Sequence, residues 1–134
     1  MASRKIQDDS LIRSKALPAA DAANETDSFD LGQAEAHPVN ESIDFKVSIP
    51  DAPALVEDKT ITFTLEDSAD DSTFAAIPQL ATFVVTGKAG NGLDATARTY
   101  KLPGSTRRYV RVKVAVEADG GDNTGVSYSA QILT

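Results

Sequence analysis

No cysteine occurs in this chain of 134 residues, which excludes both a disulfide framework and a thiolate metal site. Tryptophan is absent too, and aromatic side chains amount to three tyrosines and five phenylalanines. So few rings argue against an aromatic-lined cleft in which paired carboxylates hydrolyse a glycoside. They argue equally against a sugar-binding surface built from exposed, stacking rings. A single histidine, His37, stands before Pro38 in a polar stretch. A Ser-His-Asp or Cys-His centre would have to use it, yet no nucleophile motif lies nearby, so an exposed loop histidine is expected. Basic residues are in deficit, thirteen Lys and Arg against twenty Asp and Glu, for a net charge of −7. That balance favours solubility and argues against nucleic acid as a partner, because phosphate-binding domains are usually basic. No apolar run approaches the ~20 residues of a membrane helix. The opening MASRKIQDDSLIRSK lacks an apolar core, so neither a signal peptide nor a membrane partner is expected. These absences point to a non-enzymatic protein with no cofactor and no metal.

What is present is a pattern of period two. In Ser42–Ile49 the residues Ile43, Phe45, Val47 and Ile49 fall on one side, with Asp44, Lys46 and Ser48 on the other. In Thr60–Glu66 the inward set is Ile61, Phe63 and Leu65. In Arg108–Val116 it is Val110, Val112, Val114 and Val116, and in Thr124–Leu133 it is Val126, Tyr128, Ala130 and Ile132. Side chains of a strand point alternately to opposite faces, so each segment reads as a strand with one wet face. Ser28–Leu31, Phe74–Leu80, Thr82–Thr86 and Thr96–Leu102 are shorter candidates, which makes about eight strands in all.

The connectors Asp51-Ala52-Pro53, Gly87–Gly92, Pro103-Gly104-Ser105 and Asp119–Asn123 carry turn-forming residues. The expected fold is therefore all-β, a jelly-roll type β-sandwich of about eight antiparallel strands. Residues 1–25 show no sustained period and are expected to form an N-terminal arm, with at most a turn or two of helix before Pro18. Residues 26–134 are the expected sandwich domain.

Three further motifs invite a functional reading. Gly87-Lys88-Ala89-Gly90-Asn91-Gly92 is glycine-rich, but a phosphate loop needs its lysine at the other end and a helix behind it, so a hairpin or inter-sheet loop is expected. The acidic runs Glu66–Asp71 and Glu117–Asn123 could offer oxygens to calcium, yet neither has the EF-hand order, and solvated turns are expected. The sequons at Asn24 and Asn40 carry little weight without secretion.

The most distinctive constellation is basic. Arg98, Lys101, Arg107, Arg108, Arg111 and Lys113 lie close together in an otherwise acidic chain. Along the strand Arg107, Tyr109, Arg111 and Lys113 share an outward face by parity. Arginine and tyrosine combine planar contact with hydrogen bonding and are favoured at interfaces. The face is either solvated or a docking surface for an acidic partner, including the acidic loops of a neighbouring copy.

Several segments in order resemble one family. Asp30-Leu31-Gly32, then Ile61-Thr62-Phe63-Thr64-Leu65-Glu66-Asp67-Ser68 leading to Phe74, then Leu102-Pro103-Gly104-Ser105-Thr106-Arg107-Arg108-Tyr109-Val110-Arg111-Val112, and finally Ser129-Ala130-Gln131-Ile132-Leu133 are similar to the cement (decoration) proteins of tailed-phage capsids. The third segment carries the resemblance most specifically, and the whole covers roughly residues 28–134. The chain departs from the family in the longer stretch Gln33–Ser42 and in the acidic turn Glu117–Asn123. The resemblance implies a jelly-roll protomer assembled as a homotrimer on the outer surface of the virion. There it would clamp major capsid protein subunits of HK97-type fold, with Arg4, Lys5 and Arg13 of the arm reaching to a neighbour or to the shell. A β-sandwich module that binds carbohydrate or a host surface is the alternative.

Overall fold

The structure is a computed structural model that describes residues 12–31, 43–103 and 105–133. Ten strands make up these residues: β1 (Ile12–Ala16), β2 (Ala23–Glu25), β3 (Phe29–Asp30), β4 (Asp44–Ile49), β5 (Thr60–Ser68), β6 (Ala75–Ala76), β7 (Phe83–Thr86), β8 (Thr96–Lys101), β9 (Tyr109–Val116) and β10 (Ser127–Leu133). One sheet has the order β1-β10-β4-β8, and the other has β2-β9-β5-β6 with β3 also on β9 and β7 also on β5. All strand pairings are antiparallel. β2 and β3 lie end to end along one side of β9, and β6 and β7 do the same along β5. Each broken pair is one lane, so both sheets are four lanes wide. With β2/β3 and β6/β7 each counted once, the connectivity is the interleaved double Greek key of a jelly roll.

Alternation along the strands builds the core between the sheets. Phe45, Val47 and Ile49 of β4 and Tyr128, Ala130 and Ile132 of β10 face Ile61, Phe63 and Leu65 of β5 and the four valines of β9, all buried. Rings from opposite layers meet edge to face, Phe29 on Phe45 at 5.4 Å and Phe63 on Tyr128 at 5.8 Å. Removing a side chain of this kind from water contributes about 1.5–3 kcal/mol. No other layer is needed to account for the fold.

The expected boundary at residue 25 is corrected. Ile12–Ala16 is the edge strand of the first sheet, paired with β10 from Ile12 opposite Gln131 to Ala16 opposite Ser127. Leu17 behind it is fully buried, and Ala23–Glu25 pairs with β9. The sandwich therefore begins at least as early as Ile12, and none of residues 12–25 is helical. The last strand starts at Ser127, because Thr124 and Gly125 form a turn. Residues 87–92 lie in the connection from β7 to β8, so of the two expected forms, hairpin or inter-sheet loop, it is the inter-sheet loop.

The loops at the β4–β5, β7–β8 and β9–β10 connections are tied together at one end. The Ala52 amide donates to Leu93 O at 2.9 Å, Gly92 N to Leu55 O at 2.7 Å, and Val56 N to Gly120 O at 3.1 Å. Gly121 adopts φ 91° and approaches so closely that a Cβ there would lie 2.3 Å from Ala54 O. At Gly87 a Cβ would lie 2.1 Å from Val56 O. Only glycine permits such backbone approach.

Candidate functional site

The basic cluster does not form a single surface. Arg98 and Lys101 belong to β8, an edge of the first sheet, whereas Arg107, Arg108, Tyr109, Arg111 and Lys113 lie in or beside β9 in the second. Arg98 lies opposite Val47 in the register; its guanidinium covers the Tyr100 ring at 4.9 Å, and its Nη1 donates to Thr82 O at 3.5 Å. The β9 parity holds, since Val110, Val112 and Val114 are buried while Tyr109, Arg111 and Lys113 point outward. Arg107 precedes the strand.

The arginines in and just before β9 are engaged within the chain. Asp67, 6% exposed, accepts from the Arg107 amide at 3.0 Å, from Arg107 Nε at 2.9 Å and from Arg107 Nη2 at 2.7 Å. Nη2 also donates to the Asp67 carbonyl at 2.8 Å. Arg108 forms a two-pronged pair with Asp30 of β3, at 2.8 and 2.9 Å, and lies 5.1 Å from the Tyr109 ring centroid. This Asp30 hydrogen bond raises the Arg108 pKa and keeps the guanidinium charged. Arg111 Nε donates to Glu66 of β5 at 2.9 Å, its Nη1 lies 3.8 Å from Glu25 of β2, and its guanidinium stacks 4.0 Å over Phe74. These pairs lace β2, β3, β9 and β5 together. The planar, bidentate geometry is one that lysine could not reproduce. Lys113 is exposed, opposite Thr64 on one side and Glu25 on the other.

The arm residues separate as well. Arg13 is placed over the Phe29 ring at 4.7 Å, with Nη1 donating to Ile12 O at 3.2 Å, so it folds onto its own sandwich. Arg4 and Lys5 lie outside the described residues, as do His37 and the sequon at Asn40. The other sequon is built into the fold. Asn24 Oδ1 accepts from the buried Tyr128 hydroxyl at 2.9 Å, its Nδ2 donates to Ala16 O, and Thr26 Oγ1 accepts from Val112 N at 3.1 Å. Burial raises the Tyr128 phenol well above its usual range.

The acidic runs serve as turn caps. Asp70 Oδ1 accepts from Ser72 N and Thr73 N at 3.0 Å and from Ser68 Oγ at 2.8 Å, and these bonds lower its pKa to about 2. Asp122 Oδ1 accepts from Thr124 N at 3.1 Å and Thr124 Oγ1 at 2.6 Å, which lowers its pKa as well. Among the described residues no group of three or more His, Cys, Asp and Glu is arranged to hold a metal. No helix among them is long and apolar enough to cross a membrane.

Sequence reasoning missed a surface on the other side of the sandwich. Ser14, Ser129, Ser48 and Ala97 form one row straight across β1, β10, β4 and β8. With Ser127, Thr96 and Pro50 they line an open depression on the outer face of the first sheet. The alternation already places Ser48, Ser127 and Ser129 outward; only the unrecognised β1 hid the row.

Comparison with the sequences of characterised proteins gave no match. Among solved structures the chain is similar to the PBSX exported protein XepA, with 18% identity over 90% of this chain and 34% of that one, at TM-score 0.51. The chain thus spans about a third of XepA's length. It is also similar to a Bacillus endospore appendage of a disulfide-linked pilus family, with 14% identity over 99% of this chain and 89% of that one, at TM-score 0.48. For tomato aspermy virus the figures are 13%, 99%, 81% and 0.46. At such identities the likeness is one of fold. The sequence model of the Bbp16 family matches residues 13–132, and the chain belongs to the Bbp16 family.

Proposed function

We propose that this chain is a structural virion protein, a capsid cement protein that acts by binding and not by catalysis. It would sit on the outside of the mature phage head as homotrimers and stabilise contacts between major capsid protein subunits of HK97-type fold. The observation that carries this reading is the architecture of the segment on which the resemblance is most specific. Leu102–Val112 runs from the buried Leu102 through the Arg107–Asp67 anchor into β9, the strand between β5 and the β2/β3 lane. The residues of that segment thus lead into a central strand of the jelly roll's second sheet, and the matching segments occur in the family's order. The similarity of fold to an exported protein and to a virus structure agrees with a structural role but does not carry it.

The mechanism is mass action. A protein that binds the mature lattice, and not its loosened forms, shifts the equilibrium towards the mature shell by an amount that grows with occupancy. Three linked protomers on three equivalent patches multiply weak contacts through effective concentration. Arg107, Arg108 and Arg111 have partners within the chain yet stay part-exposed, so docking would use them as prearranged, ion-paired groups together with Lys113 of β9. The test is direct: purified protein is mixed with mature shells that lack it, and bound protein is quantified after sedimentation. Saturation at a fixed ratio supports the reading. A folded protein that does not bind shells but is retained on a glycan column would replace it with the carbohydrate-binding alternative.

A further inference from the structure

The chain has four asparagines, and only Asn91 is followed by a glycine. That pair is chemically distinct. A backbone nitrogen can attack the side-chain amide carbon of the asparagine before it and close a succinimide ring. Glycine, having no Cβ, hinders the attack least. The other asparagines precede Glu25, Glu41 and Thr124. Asn24 and Asn123 are also held within the fold, Asn24 by the Tyr128 hydroxyl and Asn123 by donating to Gly120 O and Gly121 O. Asn91, by contrast, is exposed in the β7–β8 connection.

Three successive residues there, Gly90, Asn91 and Gly92, have positive φ, of 80, 74 and 100°. Asparagine is one of the few side chains that tolerate this conformation. Both reacting groups are held by the β4–β5 connection. Gly92 N, the nucleophile, donates to Leu55 O at 2.7 Å, and Asn91 Oδ1 accepts from Glu57 N at 2.9 Å. The turn itself is closed by Lys88 N on Gly92 O and Asn91 N on Lys88 O, both at 2.9 Å. Glu57 Oε1 braces it by accepting from Gly90 N at 3.1 Å. These partners must be released before Gly92 N can lose its proton and approach Asn91 Cγ. Water is at hand, because Asn91 and Gly92 border a surface depression shared with Asp51, Pro53, Lys88 and Asp94.

We propose that Asn91 is a deamidation site of this protein, closed by the loop clamp while the chain is folded and opened when the β4–β5 and β7–β8 connections part. In the first step a bond forms between Gly92 N and Asn91 Cγ, and the Cγ–Nδ2 bond breaks. The proton of Gly92 N passes through water to the leaving nitrogen, which departs as ammonia. In the second step one water molecule opens the imide at either carbonyl, giving aspartate or isoaspartate at position 91. Water is the only co-reactant. The two products differ in consequence. Aspartate keeps an acceptor for Glu57 N but sets a second carboxylate beside that of Glu57. Isoaspartate moves a methylene group from the side chain into the backbone, so the turn from Lys88 to Gly92 no longer fits and the bond to Leu55 O is lost. Deamidation is thus a one-way loosening of the interlinked loop end, and it does not depend on the proposed binding role.

The test incubates the full chain at mildly alkaline pH, folded in buffer and unfolded in guanidinium chloride. Peptide mass mapping follows the fraction of aspartate and isoaspartate at position 91, and ammonia release is measured alongside. Conversion is expected to be at least about tenfold faster in the unfolded chain, because a closed local structure protects in proportion to its opening equilibrium. Glu57→Ala removes the acceptor of Gly90 N; Glu57 is exposed, so the fold tolerates its loss. This variant is expected to speed conversion in the folded chain by about two- to tenfold, the weight of one hydrogen bond, and to change nothing in denaturant. Amide hydrogen exchange of Gly92 in the wild-type chain gives a readout that needs no variant, with protection of at least about tenfold expected. Equal conversion rates with and without denaturant, a Gly92 amide that exchanges like a free peptide, or a folded Glu57→Ala chain no faster than wild type overturns the clamp. An Asn91 that stays intact in denaturant while Asn24, Asn40 or Asn123 converts overturns the site.

Discussion

Replacing Asp67 with alanine tests whether the Arg107 anchor holds the β8–β9 loop to the second sheet. The carboxylate is almost entirely buried and takes three hydrogen bonds from Arg107, at 3.0, 2.9 and 2.7 Å. Hydrogen bonds to a charged group contribute about 1.5–3 kcal/mol each. They are not additive within one network, and the Arg107 side chain is 43% exposed, so its guanidinium bonds are discounted for solvent screening. The bond from the Arg107 amide is the least screened. The expected loss is about 2–4 kcal/mol. A chain of this size unfolds in a single cooperative step as a rule, and with an m-value of about 1.5 kcal/mol/M the urea midpoint falls by about 1–3 M. Arg107→Ala is the companion variant; it leaves a buried carboxylate without its guanidinium. The coupling from the double-mutant cycle is expected at about 1–3 kcal/mol. A loss below about 0.5 kcal/mol for Asp67→Ala, with an unchanged m-value, refutes the anchor.

Other consequences follow from the same geometry. Gly121→Ala combines positive φ with a Cβ 2.3 Å from Ala54 O, and is expected to destabilise by about 2 kcal/mol or more; a thermal melt within a degree of wild type contradicts it. Tyr128→Phe removes the donor to Asn24 Oδ1 and is expected to cost about 1–2 kcal/mol, measured by urea unfolding. In ultraviolet titration Tyr128 remains protonated through the ordinary phenol range, because burial raises its pKa; ionisation of all three tyrosines together near pH 10 before any unfolding contradicts that. Asp70 is held at about 2 against 3.8, so its contribution is present above the unfolded value and is lost as pH falls through the folded one. Asp70→Ala therefore flattens the decline in stability between about pH 4 and pH 2, and an unchanged slope counts against the cap.

The strands that alternate cleanly were legible because burial on one face leaves a period of two in the sequence. β4, β5, β9 and β10 lie within or close to the ranges that Phe45, Phe63, Val112 and Tyr128 define. β1 carries no such mark. Its residues opposite Ala130 and Tyr128 are Arg13 and Lys15, long side chains that reach past the interior at an edge, a common protection against edge-to-edge pairing. β2 is hidden for a related reason: Asn24, in its middle, is polar and bonds the Tyr128 hydroxyl. The candidate site was legible as composition but not as electrostatics. Partners of Arg107, Arg108 and Arg111 lie 40, 78 and 45 residues away in sequence, and local spacing holds no trace of them. Asp67 and Glu66, read as part of an acidic run, are the counter-ions of the basic face.

The central claim is that this jelly roll stabilises a capsid by binding it. Titrating the full chain into mature shells that lack it, followed by sedimentation and a heat challenge of the pellet, tests this most directly. The account predicts saturation at a fixed ratio to the major capsid protein, with shells that withstand higher temperature only when occupied. A folded chain that stays in the supernatant at every ratio, and leaves shell heat resistance unchanged, contradicts it.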